Sequence, residues 1–306
     1  ILGTHWAAGA YRLSGVKADA DSGLGIRLVQ ANIPQREKWA LRYRARNIAA
    51  HLRLSVENRP PWIQHVIWPE MAATLYLERD AKSREVLSRV VPPGGLLVTG
   101  APRRNPEGGA YNAIFALDEA GRISGHYDKA HLVPFGEYVP LASVLPLEKI
   151  TLGASGYTPG PGVRTLRLPG LPPVSLLVCY EIIFPAKVVD ASDRPEVIIN
   201  LTNDAWYGVT SGPHQHFANA RLRAVEEGIP VVRAAYTGIS GVVDSYGQVR
   251  GVIPLAEAGY LDFRLPRPLQ HPSFYSRLGD SIFFGNLVVL VLAAAVICRH
   301  GSTCSA

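Results

Sequence analysis

The chain has 306 residues, of which 47% are hydrophobic and 18% charged, and its formal net charge is +6. This length allows one large domain or two ordinary ones with a substantial core, and the composition excludes a disordered chain. A chain with a net positive charge suggests an anionic partner. However, no Lys/Arg cluster is interleaved with aromatic residues, so we expect no nucleic-acid binding.

The densest basic run is Arg42, Arg44 and Arg46, which falls on a predicted helix. We interpret it as the solvated face of that helix, with anionic lipid head groups as the alternative. The three cysteines, Cys179, Cys298 and Cys304, do not form a disulfide framework. Cys179 lies apart from the other two, so its thiol is expected to stay free.

We interpret residues 1–23 as what remains after an upstream membrane segment. After them, segments with strand and helix patterns alternate along the chain. Predicted strands cover 26–33, 65–68, 95–100, 113–117, 123–127, 174–179, 197–202, 231–235, 241–244 and 260–263, and predicted helices cover 37–56, 71–90 and 214–227. A Pro- and Gly-rich stretch, 132–164, is typical of a functional loop. This order predicts an α/β layered fold with a mixed sheet over 24–270.

The C-terminal segment has a different composition. Residues 281–298 carry no charge and are followed by Arg299 and His300. About 17 residues suffice to cross a bilayer, so we predict a transmembrane helix over 278–300 and a tail over 301–306. A buried core helix is the alternative. If the cytoplasmic side carries the positive charge, residues 24–275 lie on the other side.

Three ionisable residues each follow a strand-like segment and suit thiol chemistry. Cys179 ends an apolar run, Glu70 follows Trp-Pro, and Lys129 follows Tyr-Asp. Acyl transfer through a thiol needs a base for its proton and donors for the oxyanion. Glu70 fits the base and Lys129 the stabilising cation, and the Tyr180 N–H is a second donor. Glu137 and Glu181 are expected to orient Lys129 or Glu70.

Each of these residues, taken alone, also has an ordinary structural explanation. A lone buried cysteine such as Cys179 is usually a small core side chain. Glu70 would suit the first turn of a helix, and Lys129 and Glu137 would suit a surface loop. The histidines, including His214 and His216, do not combine with Cys or carboxylates at metal-ligand spacing, so no metal and no cofactor is expected.

Glu70, Lys129 and Cys179, in this order, resemble the Glu-Lys-Cys triad of the nitrilase superfamily, which implies a nitrilase-like αββα sandwich. Longer strings resemble one branch of it, the apolipoprotein N-acyltransferase family. They are Ala31-Asn-Ile-Pro-Gln, Trp68-Pro-Glu, His131-Leu-Val-Pro-Phe-Gly-Glu-Tyr-Val-Pro, Cys179-Tyr-Glu, Asn203-Asp-Ala-Trp-Tyr-Gly, Gly212-Pro-His-Gln-His-Phe and Thr237-Gly-Ile-Ser. They extend over most of 26–245.

The resemblance implies a monomeric enzyme of the bacterial inner membrane with its catalytic domain on the periplasmic face. A phospholipid would give its acyl chain to Cys179 as a thioester, and the N-terminal amine of a diacylglyceryl-cysteine apolipoprotein would accept it. Trp39, Tyr180 and Trp206 match aromatic positions at the lipid site. The family carries further membrane helices before this region.

Two residues depart from the family pattern, and two other functions stay open. Met71 stands where serine is common, and Tyr236 where asparagine is expected. The first alternative is a soluble nitrilase-type amidase, in which water resolves the thioester. The second is a non-catalytic module that binds lipid or lipoprotein and has an inert cysteine.

Overall fold

The structure is a computed structural model that describes residues 2–14, 21–138 and 156–301. Within them helices and strands alternate. The helices are α1 (Leu2–Ser14), α2 (Gln35–Lys38), α3 (Leu41–Val56), α4 (Ala81–Ser88), α5 (Ser211–Glu227), α6 (Phe274–Leu278) and α7 (Ser281–Gly301). The strands are β1 (Asp21–Gln30), β2 (His65–Ile67), β3 (Leu96–Arg104), β4 (Ala110–Leu117), β5 (Ile123–Asp128), β6 (Thr165–Leu166), β7 (Val174–Val178), β8 (Val197–Thr202), β9 (Val231–Ala235), β10 (Ser240–Val243), β11 (Val249–Ile253) and β12 (Gly259–Pro266).

The strands form two mixed sheets that pack face to face. One has the order β12-β1-β2-β3-β4-β5 and the other β11-β10-β9-β8-β7-β6. In each sheet three neighbouring strands are parallel, namely β1-β2-β3 and β7-β8-β9. The strands next to them, β12, β4, β10 and β6, are antiparallel to them, and the edge strands β5 and β11 are antiparallel to β4 and β10. The carboxyl ends of the parallel strands therefore lie at one edge of each sheet.

Three apolar layers hold this arrangement together. Side chains alternate across a strand, so Leu28 of β1 faces the layer between the sheets while the next residue, Val29, faces outward. Leu54 of α3 and Leu87 of α4 pack against the outward face of the first sheet. The second sheet is covered by α5 through small residues such as Ala220. The predicted αββα sandwich is confirmed.

The predicted helix over 71–90 is wrong in its first half, residues 71–80, and only α4 in its second half is helical. Residues 68–73 instead run along β3, with the Trp68 amide bonding the Val98 carbonyl and the Ala73 amide bonding the Gly100 carbonyl. A Cβ on Gly100 would lie 2.3 Å from the Met71 nitrogen, so only glycine permits this approach. Met71 itself has φ of 52°.

The predicted helix over 37–56 is two helices, α2 and α3, which are separated at Trp39-Ala40. The helix α1 and the short elements β6, β11 and α6 were not predicted, whereas α5 ends at Gly228 as predicted. Part of the predicted irregular stretch over 132–164, namely 139–155, lies outside the described residues. The same holds for 302–306 in the predicted tail over 301–306. The division of the chain into units over 1–23, 24–270, 278–300 and 301–306 stays a prediction.

The helix α7 contains the 18-residue stretch Ser281–Cys298, whose mean hydropathy is 2.6 and none of which is buried. The alternative of a buried core helix is therefore wrong for these residues. By length and composition α7 is able to cross a membrane.

Candidate active site

Glu70, Lys129 and Cys179 come together at the carboxyl-terminal edge of the two sheets. Glu70 lies three residues past β2, Lys129 directly follows β5, and Cys179 directly follows β7. The charges of Glu70 and Lys129 both act on the Cys179 thiol, the carboxylate raising its pKa and the ammonium lowering it. One sheet supplies two of the groups and the facing sheet supplies the thiol.

Cys179 occupies a strained backbone position at the start of a short 3-10 helix, Cys179–Ile183. Its φ is 53°, in the left-handed region that a residue with a Cβ rarely adopts. The Cys179 carbonyl accepts a hydrogen bond from Asn200 Nδ2 at 3.3 Å, and His216 Nε2 contacts the same oxygen at 3.2 Å. These contacts fix the turn that presents the thiol.

The thiol of Cys179 is protonated at neutral pH. Burial raises its pKa to about 12, the negative charges of Glu70 and Asp204 add to the rise, and Lys129 opposes it. Because the thiolate is the nucleophilic form, a thiol with this pKa needs a base to act on a substrate.

The two carboxylate oxygens of Glu70 differ in their hydrogen bonding. Oε1 accepts a hydrogen bond from Asn112 Nδ2 at 2.7 Å, whereas Oε2 is buried and has no hydrogen-bond partner among the described residues. The main-chain carbonyl of Glu70 accepts a bond from Lys38 Nζ at 3.1 Å. The carboxylate is thereby oriented, with an oxygen left to take a proton.

Lys129 is fully buried and forms an ion pair with Glu137, Nζ to Oε2 being 2.7 Å. Burial alone would lower the pKa of Lys129, but the charges of Glu137, Cys179 and Glu70 outweigh it and raise the pKa. The ammonium is therefore charged over the whole physiological range of pH. It is placed where it can stabilise negative charge on a substrate oxygen.

Glu137 and Glu181 support the site in different ways. Glu137 bonds the Lys129 ammonium and, through Asn112 Nδ2 at 2.9 Å, is linked to Glu70. Glu181 accepts bonds from the Tyr127 hydroxyl and from three main-chain amides, those of residues 130, 131 and 178, at 2.7–2.9 Å. It thus joins the end of β7 to the segment that follows Lys129, acting on the backbone.

The aromatic residues predicted at a lipid site lie in two surface segments. Trp39 follows α2 and is 41% exposed, and Trp206 lies in a 3-10 helix after β8 and is 50% exposed. The half-buried Tyr180 ring packs edge-on against Phe184, with 4.9 Å between centroids. Trp39 and Trp206 therefore present apolar area to the surroundings, whereas Tyr180 contributes to packing.

Sequence reasoning missed Asn112, Lys38 and a buried cluster behind Cys179. In the cluster, Asp204 accepts bonds from Arg233 and from His216 Nδ1, each at 2.8 Å. Burial would raise the pKa of Asp204, but Arg233 and His216 hold it at about 2. A signal existed for Asn112, because it is a polar residue inside the otherwise apolar strand β4.

The described residues contain no group of three or more His, Cys, Asp or Glu that can hold a metal ion. His216 instead lies between Asp204 and the Cys179 carbonyl.

The fold and the thiol at this edge define the class of protein. Residues 25–259 match the carbon–nitrogen hydrolase family model, and the chain belongs to this family. Solved structures share the fold. An amidase from Nesterenkonia sp. AN1 superposes with a TM-score of 0.59 at 21% identity, covering 89% of this chain and 99% of its own. A carbon–nitrogen hydrolase from Helicobacter pylori has a TM-score of 0.58 at 16% identity, covering 78% and 88%.

Relatives with higher identity carry one name. The chain is 36% identical to the apolipoprotein N-acyltransferase of Rhodopseudomonas palustris over 95% of its own length, and 38% identical to that of Rickettsia prowazekii over 87%. It spans 58% of the first relative and 54% of the second. The chain thus corresponds to somewhat more than half of these curated proteins.

Proposed function

We propose that the protein transfers an acyl chain from a phospholipid, through a thioester on Cys179, to the N-terminal amine of a diacylglyceryl-cysteine lipoprotein. The observation that carries the proposal is the free, buried Oε2 of Glu70 in a site that also holds a protonated thiol and the Lys129 ammonium. The names of the relatives support an apolipoprotein nitrogen as the acyl acceptor.

In the first step Glu70 takes the thiol proton and the sulfur attacks the ester carbonyl carbon of the phospholipid. Negative charge develops on the carbonyl oxygen, where the Lys129 ammonium and the Tyr180 N–H stabilise it. The carbon–oxygen ester bond then breaks, and Glu70 returns the proton to the leaving alcohol. The products are the Cys179 thioester and a lysophospholipid.

In the second step the α-amine of the acceptor attacks the thioester carbonyl. Glu70 removes a proton from the nitrogen, the carbon–sulfur bond breaks, and the sulfur regains a proton from Glu70. The amide product leaves with the acyl chain, and the enzyme returns to its starting state. Glu137 keeps Lys129 in place throughout, and Asn112 does the same for Glu70.

The soluble amidase is the less favoured alternative. The exposed aromatic and apolar side chains of Trp39, Trp206 and Val209, the last 79% exposed, suit a lipid better than a small amide. The exposed apolar helix α7 also suits a membrane enzyme. Efficient turnover of small amides by detergent-free protein would favour the amidase.

Incubation of the full-length protein with phosphatidylethanolamine, without an acceptor, is expected to leave one acyl chain on Cys179. The thioester should accumulate because its amine acceptor is absent, and peptide mass spectrometry locates it. Addition of a diacylglyceryl-cysteine peptide should then remove the adduct and give the N-acyl peptide. An adduct on another residue would contradict the assignment. No adduct, together with a processed lipoprotein in cells carrying alkylated Cys179, would favour the binding module.

We also propose that α7 crosses the membrane and that residues 24–275 lie on its extracytoplasmic face. In a cysteine-free background (Cys179→Ser, Cys298→Ser, Cys304→Ser), we expect Glu107→Cys to react with a membrane-impermeant maleimide in intact cells, because Glu107 is exposed. Restoring Cys304 in the same background provides the matched control, and it should react only after permeabilisation. The opposite pattern would contradict this orientation.

A further inference from the structure

A second buried lysine, Lys38, lies beside the site and takes no part in the reaction described above. It is the last residue of α2 and is 2% exposed. Its ammonium donates a hydrogen bond to the Glu70 carbonyl at 3.1 Å and lies 4.2 Å from the centroid of the Tyr236 ring. None of the ion pairs among the described residues includes Lys38, so no carboxylate neutralises it directly.

The groups that contact the Lys38 ammonium stabilise its charge although none of them is a carboxylate. The face of a tyrosine ring attracts an ammonium, and the attraction grows when both are removed from water. Tyr236 is 1% exposed, and it stands where the family pattern predicts asparagine. The Asn203 amide, turned so that its oxygen meets donors, accepts from Lys38 Nζ at 3.2 Å and from Trp206 Nε1 at 3.3 Å. The departure at Tyr236 is thus part of a cation site.

The charges around the thiol explain what a second ammonium does there. The ammonium of Lys129 is paired with Glu137, so it is largely neutralised by that carboxylate. The remaining carboxylate, Glu70, disfavours a thiolate at Cys179. Lys38 interacts favourably with both Glu70 and Cys179. Its charge therefore offsets that of Glu70 when the thiol loses its proton.

We propose that Lys38 is a positioning residue of the acyl-transfer site, one that anchors the main chain of Glu70 and supplies the positive charge that favours the Cys179 thiolate. The proposal rests on the function proposed above, in which Cys179 is the nucleophile and Glu70 the base. Lys38 acts through these two groups and is held by Tyr236 and Asn203.

The charge of Lys38 is itself sensitive to pH. Burial lowers its pKa to about 8, against the favourable charges of Glu70 and Cys179. Lys38 is charged below this pH and neutral above it, so its support of the thiolate is present at pH 6–7 and lost as the pH rises past 8. The other charged or titratable groups facing Lys38 or the thiol are Glu70, Lys129, His51, Asp204, Tyr207 and Tyr236.

Alkylation of Cys179 by iodoacetamide, followed by peptide mass spectrometry, tests the proposal in the full-length protein. Lys38→Met removes the charge and keeps the length of the side chain. At pH 6.5 we expect it to slow alkylation about fivefold to tenfold, the effect of one charge in a partly screened site. Above pH 9 its rate should equal that of the wild type, because Lys38 is then neutral. Lys38→Arg should retain most of the low-pH rate.

Two results would overturn the proposal. Equal rates for Lys38→Met and the wild type at pH 6.5 would remove the electrostatic role. A reduction by the same factor at every pH would assign Lys38 a purely structural role. Tyr236→Leu removes the ring beside Lys38, whereas Tyr236→Phe keeps it. The pH at which proteins with Lys38 and with Lys38→Met are alkylated at equal rates should therefore be lower in the Tyr236→Leu background than in the Tyr236→Phe background. Since iodoacetamide requires no acyl donor, these outcomes are independent of whether the phospholipid adduct forms.

Discussion

Cys179→Ala is expected to abolish acyl transfer, by at least about 10³-fold, and to leave the fold intact. In the proposed reaction the Cys179 sulfur carries the acyl chain, and alanine has no atom that can form the thioester. Only the sulfur atom of a partly exposed residue is lost, so the free energy of unfolding should change by no more than about 1 kcal/mol. Product formation and the thermal midpoint, measured on the same preparations, check both parts.

The backbone at Cys179 makes this test more specific. Its φ of 53° is strained for any residue with a Cβ, and glycine removes the strain. Cys179→Gly should therefore be as inactive as Cys179→Ala and more stable than it by about 1 kcal/mol. A more stable but inactive Cys179→Gly protein would indicate that the strained turn is maintained to present the thiol. Cys298→Ala, on the exposed helix α7, is the control and should retain full activity. Activity retained by Cys179→Ala would exclude the thioester route.

The position of the three central residues could be predicted because each one follows a strand. The parallel strands of one sheet end at the same edge, so the residues after β2 and after β7 each lie at the carboxyl edge of their own sheet. The packing of the two sheets then brings these two edges together. Cys179 was recognisable from the apolar run before it, and Glu70 and Lys129 from their order along the chain. The sandwich itself followed from alternating strand and helix patterns together with the resemblance.

Other features could not be read from local patterns because distant segments determine them. Residues 71–80 are predicted to be helical, yet residues 68–73 run along β3, because Gly100 allows a close approach of the two backbones. Lys38 lies near a basic run and would be expected on the surface. Its burial depends on Glu70 and Tyr236, which are 32 and 198 residues further along the chain.

Asn112 illustrates a feature that the sequence signals without explaining. A polar residue inside an apolar strand marks a buried hydrogen-bonding group, but its partners are visible only in three dimensions. Its Nδ2 donates to both Glu70 and Glu137, and thereby joins the base to the carboxylate that holds Lys129. Burial of two carboxylates so close together is tolerated because the amide and the Lys129 ammonium lie between or beside them.

Glu70→Gln is expected to change two rates in opposite directions. The glutamine oxygen can still accept the bond from Asn112, so the side chain should keep its place. Its NH₂ group then occupies the position of the free Oε2 and cannot take a proton. Loss of a general base lowers the rate of acyl transfer by about 10²- to 10⁴-fold. The rate of Cys179 alkylation at pH 8 should rise, because the negative charge that raises the thiol pKa is gone.

Measurement of both rates separates a base from a residue that only maintains the fold, since damage to the site would slow both reactions. Glu78→Gln is the matched control. Like Glu70, Glu78 has one oxygen that accepts a hydrogen bond, from the Arg104 amide at 2.8 Å, and one buried oxygen with no partner in the described chain. Its partner, the Arg104 amide, lies outside the hydrogen-bond network that joins Glu70, Asn112 and Glu137. Both rates should stay at the wild-type value in Glu78→Gln, whereas an unchanged acyl-transfer rate in Glu70→Gln would exclude Glu70 as the base.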